Sequence, residues 1–570
     1  MVYRYTYVYI YNKNGTSNTL LGTVSTNSTG YYSKSFSYDG TSKNIYIKVY
    51  SSGLGVIIRS PSLSSTYIYT SSTYNGITGG QSVTISYTAS NTTDLGKSLS
   101  VHQAMTLANR YIYSLDGAYL KTITVSFPDS SKGTSCYSSS DGRIYILAGD
   151  AFDWDVMEHE YGHFVQNCYS IANSPGGNHS SLENLSDDRS NKSEGIRLAW
   201  GEGWATYFAI NLQNKMSASS LNIPNVGDTR YQDTVDASID YDIEFLPSNR
   251  RIGEANEATV SAVLYDITDV KNTASNENDN VYCSNKDVWN ITKSSKATTL
   301  SEFITAFYNS GFTTQVKLNL GSTLSHYVVA AKLNTSPTGL TTSTPSFSWS
   351  KQGGSTLYPN NRFRLAFYNS SYNLILRTSY LNATSQTLTS SQWTQIKNSG
   401  STVYCCVETY QTSTPQTGWY YSNLITLNLS TSGTYRITNV ATGKCLNIYG
   451  ENVTSLYNHQ NVCLWSNSGT NEQKWYVTSI GNGAYIKSVI DQSFGLNVYR
   501  TGSPWNCDLL TISGNETDSQ VDFIATSGGY KIKLHNYDLY LSADSSSNGA
   551  NVYWSASSSS LYQVWSLTPV

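Results

Sequence analysis

Residues 3–11, YRYTYVYIY, alternate in character from one position to the next, and NIYIKVY (44–50) and SVTISYTA (82–89) do the same. A period of two puts successive side chains on opposite faces of a strand, so these segments predict β-strands separated by turns at NKNG and YDGTS. The spacing becomes helical at SLSVHQAMTLANRYIYSL (98–115) and returns to strands at TITVSF and GRIYILAG. Helical segments dominate from there to about Leu333, and in TLSEFITAFYN the pair Thr299 and Glu302 has capping-box spacing. After TSPTGLTTSTP (335–345), a linker by composition, alternation resumes in FRLAFYN, NLILRTSYL and STVYCCVETY. The last segment repeats. YRITNVATGKCLNI, YIKSVIDQSFGLNV and YKIKLHNYDLYLSA start at Tyr435, Tyr485 and Tyr530, and each unit closes on a related signal, QKW, QVDF or QVW. Three units of roughly 45 residues predict a pseudo-threefold fold whose core each unit fills in part.

The pattern divides the chain into four. A β-sandwich module is expected over 1–93, a mixed α+β domain over 94–336, a second β-sandwich of Ig or fibronectin III kind over 340–430, and the threefold repeat over 432–570. A chain of 570 residues is long enough for this, since domains run to roughly 100–200 residues.

Composition changes the picture in one respect. The net charge is −3 and only 13% of residues are charged, against roughly 25% in an average soluble protein. Nucleic acid and anionic membrane both want a basic face, so neither is expected as a partner. Ser, Thr, Asn and 47 Tyr replace the missing charge, a bias suited to extracellular β modules. No stretch approaches the ~20 apolar residues of a membrane helix, and MVYRYTYVYIYNKNG lacks a signal peptide's basic start and apolar core. The expectation is a secreted monomer whose leader is absent from this chain. Eight scattered cysteines are too few for a disulfide scaffold, and Cys445 with Cys463 is the one pair expected to bond.

The candidate chemistry begins at DVMEHEYGHFVQN (155–167), which holds two of the chain's 7 histidines. On a helix, His159 and His163 lie on one face a turn apart and can bring both imidazoles to one zinc ion. Glu160 is rotated by about 100° from His159, which aims its carboxylate beside the metal, where it can take a proton from bound water. Trp154, Met157, Tyr161, Phe164, Val165 and Cys168 cluster on the opposite face and anchor the helix. A third ligand is offered by Glu202 in the helix RLAWGEGWATYFAINL (197–212), where Ala205, Thr206 and Ala209 allow close packing. Two His and one Glu leave a fourth position open, as in catalytic zinc sites.

HEYGH, GEGWATYFA and RIGEANEATVSAVLYDITD (251–269) resemble, in order and wording, the zinc metallopeptidases of thermolysin-like type, the fungalysins above all. The resemblance covers about 100–240. It implies a gluzincin-type metalloendopeptidase domain, His159, His163 and Glu202 as Zn2+ ligands, Glu160 as general base, and a protein or glycoprotein substrate. The sequence departs from that family at two points. Thr206 stands where the family has an Asp that orients a zinc histidine. Arg250 stands near where it has an oxyanion-binding histidine, so Arg250 is the expected catalytic donor, with His179 in SPGGNH as the other candidate. The strand GRIYILAG is expected to be the sheet edge on which substrate lies extended.

The repeat is similar to the ricin-type β-trefoil, a carbohydrate-binding family, from about 432 to 570. The resemblance implies a sugar site in the first unit with Trp465 as stacking platform, Asn447 and Gln473 beside it, and Trp554 at a similar position in the third unit. Asn447, Cys463 and Glu472 stand where the family pattern has Asp, Gln and Asn. The function expected is a secreted zinc-dependent endopeptidase targeted to glycans or glycoproteins. The alternatives are a non-catalytic carbohydrate-binding adhesin with a degenerate peptidase fold, and a peptidase selective for glycoproteins.

Overall fold

The computed structural model describes residues 2–236, 238–269, 280–334, 344–351, 361–399, 402–411, 418–428, 432–479, 483–514, 516–526 and 529–570. The linker expected at 335–345 lies largely outside the described residues. The chain forms two compact units. The first takes in residues up to Ala331 together with Lys351–Asn361 and Thr409–Asn423, and the second takes in the remainder to Val570.

The first unit opens with a sheet built from β1 (Tyr7–Asn14), β2 (Ser17–Ser25), β3 (Lys43–Tyr50), β6 (Ile68–Thr70) and β7 (Tyr74–Ile77), ordered β2-β1-β3-β6 with β7 also on β3. The predicted alternation holds along β1, where Val8 and Ile10 are buried between half-buried neighbours; in β3 Ile47 and Val49 are buried but so is Tyr46, and the strand predicted at SVTISYTA (82–89) does not form. The module is not self-contained, however, which corrects the boundary expected at residue 93. β4 (Ser52–Gly53) and β5 (Val56–Arg59) leave it to join β8 (Ile123–Ser126), β9 (Cys136–Ser138) and β10 (Arg143–Tyr145) in a second sheet ordered β4-β5-β8-β10-β9. Val56 and Ile58 are fully buried there, and β5 runs parallel to β8, the setting in which apolar strands are covered on both faces.

Of the α-helices described in this unit, four come first in the chain: α1 (Asp94–Asp116), α2 (Trp154–Tyr169), α3 (Lys192–Lys215) and α4 (Glu257–Thr268). Each begins on a side chain that accepts a backbone N–H, Thr93, Asp153, Asn191 and Asn256 in turn, so the first-turn donors are satisfied where sequence placed a capping residue. Small residues set the helix spacing. A Cβ on Gly162 would lie 3.1 Å from the Ala205 Cα, and one on Gly203 would lie 2.4 Å from the Glu257 carbonyl, so α3 is pressed between α2 and α4. α2 is buried almost all round, where the sequence predicted a one-sided apolar stripe.

The Thr409–Asn423 segment packs within this unit although it was expected in the second sandwich. Trp419 stacks on Tyr308 at 4.8 Å, Asn423 N–H donates to Ser325 Oγ at 2.7 Å, and a Cβ on Gly321 would lie 2.4 Å from the Ser422 carbonyl. Beneath it Ser301 hydroxyl bonds both Tyr420 and the buried carboxylate of Glu254.

In the second unit, strands Ser346–Ser350 and Ser385–Thr387 pair in one small sheet, and Arg362–Asn369 pairs with Leu374–Arg377 in another. Phe347 and Phe367 meet edge-on at 5.5 Å between them. Buried Glu408 is held by Arg364 and Arg377, whose Nε atoms donate at 2.6 and 2.8 Å. From Gly433 a twelve-stranded sheet closes on itself, its first strand Gly433–Asn439 pairing with its last, Trp565–Pro569. The threefold repeat is visible atom by atom. Trp475 and Trp565 Nε1 each donate at 2.9 Å to the carbonyls of Leu446 and Leu541, which occupy matching strands. Asn461, Asn506 and Asn551, 45 residues apart, form a closed ring: Asn461 donates to Asn551, Asn551 to Asn506 and Asn506 to Asn461 at 2.8–3.1 Å.

Among the described residues no helix is long and apolar enough to cross a membrane. The eight cysteines are free thiols, which corrects the expected Cys445–Cys463 bond. The register pairs Cys445 with Trp465 and Asn447 with Cys463, so the two thiols are offset by two residues along adjacent strands. Diagonal Cα atoms of that kind lie roughly 7–8 Å apart, beyond disulfide reach.

Candidate functional site

α2 carries His159, Glu160 and His163, and α3 carries Glu202 and Thr206; the Gly162–Ala205 crossing brings them together. Glu202 Oε2 lies 3.0 Å from His163 Nε2 and 3.3 Å from His159 Nε2, and the two ring nitrogens are 3.0 Å apart. A tetrahedral zinc with bonds of about 2.0 Å has ligand–ligand edges of about 3.3 Å. His159, Glu160 and His163 also each bring one ligand atom within 4.8 Å of the others.

The outer ring nitrogens fix which atoms face inward. Gln166 Nε2 donates to the Gly201 carbonyl at 2.8 Å, so its Oε1 is the atom turned to His163 Nδ1, at 3.1 Å. An acceptor there demands Nδ1–H, which leaves a lone pair on Nε2. His159 Nδ1 lies 3.1 Å from Thr206 Oγ1, so Thr206 is itself the partner of a histidine in the cluster. Two imidazole lone pairs and a carboxylate thus converge, a donor set that fits zinc. Burial disfavours charge on His163, but the Glu202 carboxylate outweighs it and pushes its pKa up to about 10. Burial lowers His159 to about 4. Burial would raise Glu202, yet the imidazoles hold it well below the ordinary carboxylate range.

Glu160 is buried, which raises it to about 7, and its Oε2 accepts the Tyr137 N–H at 2.6 Å. Tyr137 belongs to β9, and β9, not GRIYILAG, is the sheet edge: β10 within GRIYILAG is enclosed between β8 and β9. The expected substrate edge is therefore corrected by one strand. A second correction concerns Arg250. Its guanidinium is buried, donates from Nη1 to the Asp240 carbonyl at 3.0 Å and lies 5.0 Å over the Tyr241 ring; its charge reaches Glu257, but it is not bonded to His159, His163 or Glu202. His179 stands at the cluster instead. Its Nε2 is 3.8 Å from Glu202 Oε2 and its Nδ1 is 2.7 Å from Glu257 Oε2. Burial opposes its charge, but the bond to Glu257 prevails and raises it to about 9.

The sequence reading missed Gln166, Tyr137 and Glu257. Gln166 had a signal, three positions after His163 on the same helix; Glu257 lay unweighed inside RIGEANEATV.

At the C-terminal repeat, Trp465 is 37% exposed on the surface and lies close enough that a Cβ on Gly549 would touch it at 3.6 Å. The other three proposed sugar contacts are interior. Gln473 is fully buried, its Oε1 taking Ser468 N–H and its Nε2 donating to Ser466 O at 2.9 Å each, so it pins a loop. Asn447 is buried and turned to Ile448 O at 2.6 Å and to Cys463. Trp554 is 1% exposed and donates to the Asn497 carbonyl. Register explains it. Leu446 pairs with Leu464 and Leu541 with Trp554, so Trp554 matches Leu464, and the place of Trp465 is taken by Ser555. A shift of one residue turns a strand side chain to the other face.

Residues 418–504 match a family model described as ricin-type β-trefoil lectin domain-like, although the closed sheet itself begins at Gly433. The chain thus carries a ricin-type β-trefoil lectin-like domain. Similar solved structures include the designed threefold-symmetric protein ThreeFoil, at 25% identity over 24% of this chain and 99% of its own, TM-score 0.23. The Rhizoctonia solani agglutinin is 18% identical over 24% of this chain and 96% of its own, TM-score 0.22. The Macrolepiota procera ricin B-like lectin, solved in complex with lactose, is 16% identical over 25% and 98%, TM-score 0.22. No curated protein matches the chain.

Proposed function

We propose that the protein is a secreted zinc-dependent endopeptidase whose trefoil tethers it to glycans or glycoproteins. The reading rests on one observation: two imidazole Nε2 atoms and the Glu202 carboxylate converge within 3.0–3.3 Å while Glu160 is held beside them from the sheet edge. His159, His163 and Glu202 would hold the ion. When bound, zinc supplies Lewis-acid chemistry, acidifying water and polarising a carbonyl.

The chain's own residues supply the rest. Glu160, raised to about 7 by burial, is poised to take a proton from water near neutral pH and return it to the leaving amine. The Tyr137 N–H fixes that carboxylate. Tyr137 pairs with Ile144 across the ladder and spends its N–H outward on Glu160, so its carbonyl faces the same way, open to an extended peptide. His179, oriented by Glu257, takes the donor role expected of Arg250 and stabilises the negative charge that develops on the carbonyl oxygen. In the trefoil, Trp465 offers the aromatic face on which a sugar ring stacks, and tethering raises local substrate concentration.

Glu160→Gln tests the core of this reading. The variant should keep its fold and zinc content by elemental analysis yet lose hydrolysis of a denatured-protein substrate by several orders of magnitude. Full activity in the variant, or wild-type protein that holds no zinc, rejects it.

A further inference from the structure

We infer that Asp150, Asp153 and Asp233 form a calcium site at the N-terminal end of α2, independent of the proposed zinc site. Asp153 is six residues before His159, about 9 Å along the helix axis. One carboxylate oxygen from each of the three residues lies within 4.8 Å of the others. Asp150 and Asp153 are buried, and Asp233 is half-buried.

The three side chains are held in place by donors that carry no charge. Asp153 caps α2 through Val156 N–H at 3.3 Å and takes Thr234 N–H at 2.6 Å on its other oxygen. Asp233 Oδ1 takes the N–H groups of Val235 and Asp236, both at 2.8 Å. Asp150 accepts the Ser135 hydroxyl on Oδ2 and leaves Oδ1 buried without a donor, and the charges of Asp233 and Asp153 both act on this carboxylate. Among the described residues none of the three has a Lys, Arg or His within ion-pair distance. Like charges so close in a partly buried setting repel, and burial with these neighbours pushes Asp150 up to about 6. A bare, buried carboxylate oxygen facing two further anions is relieved by a cation.

The donor set names the cation. All three donors are oxygen, with no His or Cys, so a hard ion is required. Three carboxylates converging from the protein itself suit calcium, which takes six to eight oxygens in flexible geometry, whereas magnesium keeps several waters and is held by one or two carboxylates. The two segments touch: a Cβ on Gly149 would lie 2.6 Å from a Val235 side-chain methyl, so Gly149 leaves room for the Asp233–Asp236 turn at this corner. Bound calcium would tie that turn to the start of α2. The neighbouring hairpin carries Tyr231, whose ring packs 5.4 Å from His159, so the site would steady the wall of the proposed active centre.

Equilibrium dialysis of the full-length protein against calcium chloride decides the matter. Wild type is expected to hold one calcium per chain, and Asp150→Asn and Asp233→Asn to bind it at least tenfold more weakly with zinc content unchanged. Asp233 is half-buried, so its variant serves should Asp150→Asn fail to fold. At a hundredfold excess over Kd, calcium should raise the wild-type Tm by roughly 3–8 °C. Neither variant should respond, and in calcium-free buffer Asp233→Asn should melt at or above wild type, because a like charge has been removed. Wild type that binds no calcium overturns the inference, and so do variants that bind it as tightly as wild type.

Discussion

At the proposed zinc site, Gln166 offers the sharpest separation of stability from metal affinity. In Gln166→Leu the side chain keeps nearly the same volume but loses both ends of the bridge between His163 Nδ1 and the Gly201 carbonyl. Gly201 lies inside α3, so its carbonyl keeps a helical partner and the stability cost is only the net value of a hydrogen bond, about 0.5–1.5 kcal/mol. The effect on metal is larger. Freed of its acceptor, His163 can carry its proton on Nε2, the atom facing Glu202, and loss of such an outer partner costs about 10–100-fold in metal affinity, or roughly 1.4–2.7 kcal/mol. Gln166→Glu reverses the balance: the carboxylate still accepts from Nδ1 but cannot donate to Gly201, so stability falls while zinc affinity is held or improved. Competitive titration with a zinc-chelating dye gives the affinities, and urea unfolding gives the stabilities. Gln166→Leu binding zinc within about twofold of wild type would refute the tautomer argument.

Two further outcomes are expected. Burial raises Glu254 from its ordinary value to about 7, so its contribution is fully present below about pH 4.5 and is lost as pH rises through 7; it is on the order of 3 kcal/mol. Glu254→Gln should flatten that part of the pH dependence in urea unfolding at pH 5 and pH 8, and an unchanged slope would count against it. In the trefoil, Trp465→Ala should abolish most glycan binding on an array while leaving its melting transition in place, whereas Trp554→Ala should destabilise the domain by about 3–5 kcal/mol. Equal calorimetric effects of the two substitutions would show the register assignment to be wrong.

Local order made the helix of His159 and His163 legible: a four-residue spacing needs only a helix to have meaning. Glu202 was found by its wording in a second helix and is brought to the histidines by small residues at the crossing. What sequence did not show was long-range. His179 and Glu257 come from segments 78 residues apart, and nothing local to either marks the other as its partner. Arg250 was chosen by its place in a motif, but its side-chain hydrogen bond goes to the Asp240 carbonyl and its guanidinium lies over the Tyr241 ring. The sheet edge was misjudged because β9, CYS in a Ser-rich stretch, has no apolar run to mark it, whereas the equally short β10 sits within the apolar IYIL. Trp554 failed for the opposite reason: the repeat was right, but a one-residue slip in alignment reverses the face of a strand. Boundaries blurred where strands cross over, as β5 does from the first module into the sheet of the second.

The ring of Asn461, Asn506 and Asn551 has no first member. Each amide gives to one neighbour and receives from the other, so none of the three repeats can satisfy its own asparagine, and an excised unit would carry a donor and an acceptor with nothing to meet. The entry and exit of this domain are also strand partners, Tyr435 opposite Pro569. A chain whose ends meet around a closed ring is indifferent to where it is opened. Joining the two ends and cutting at an exposed turn between units should therefore yield a circular permutant that regains the same barrel, whereas deleting any one third should leave no folded product.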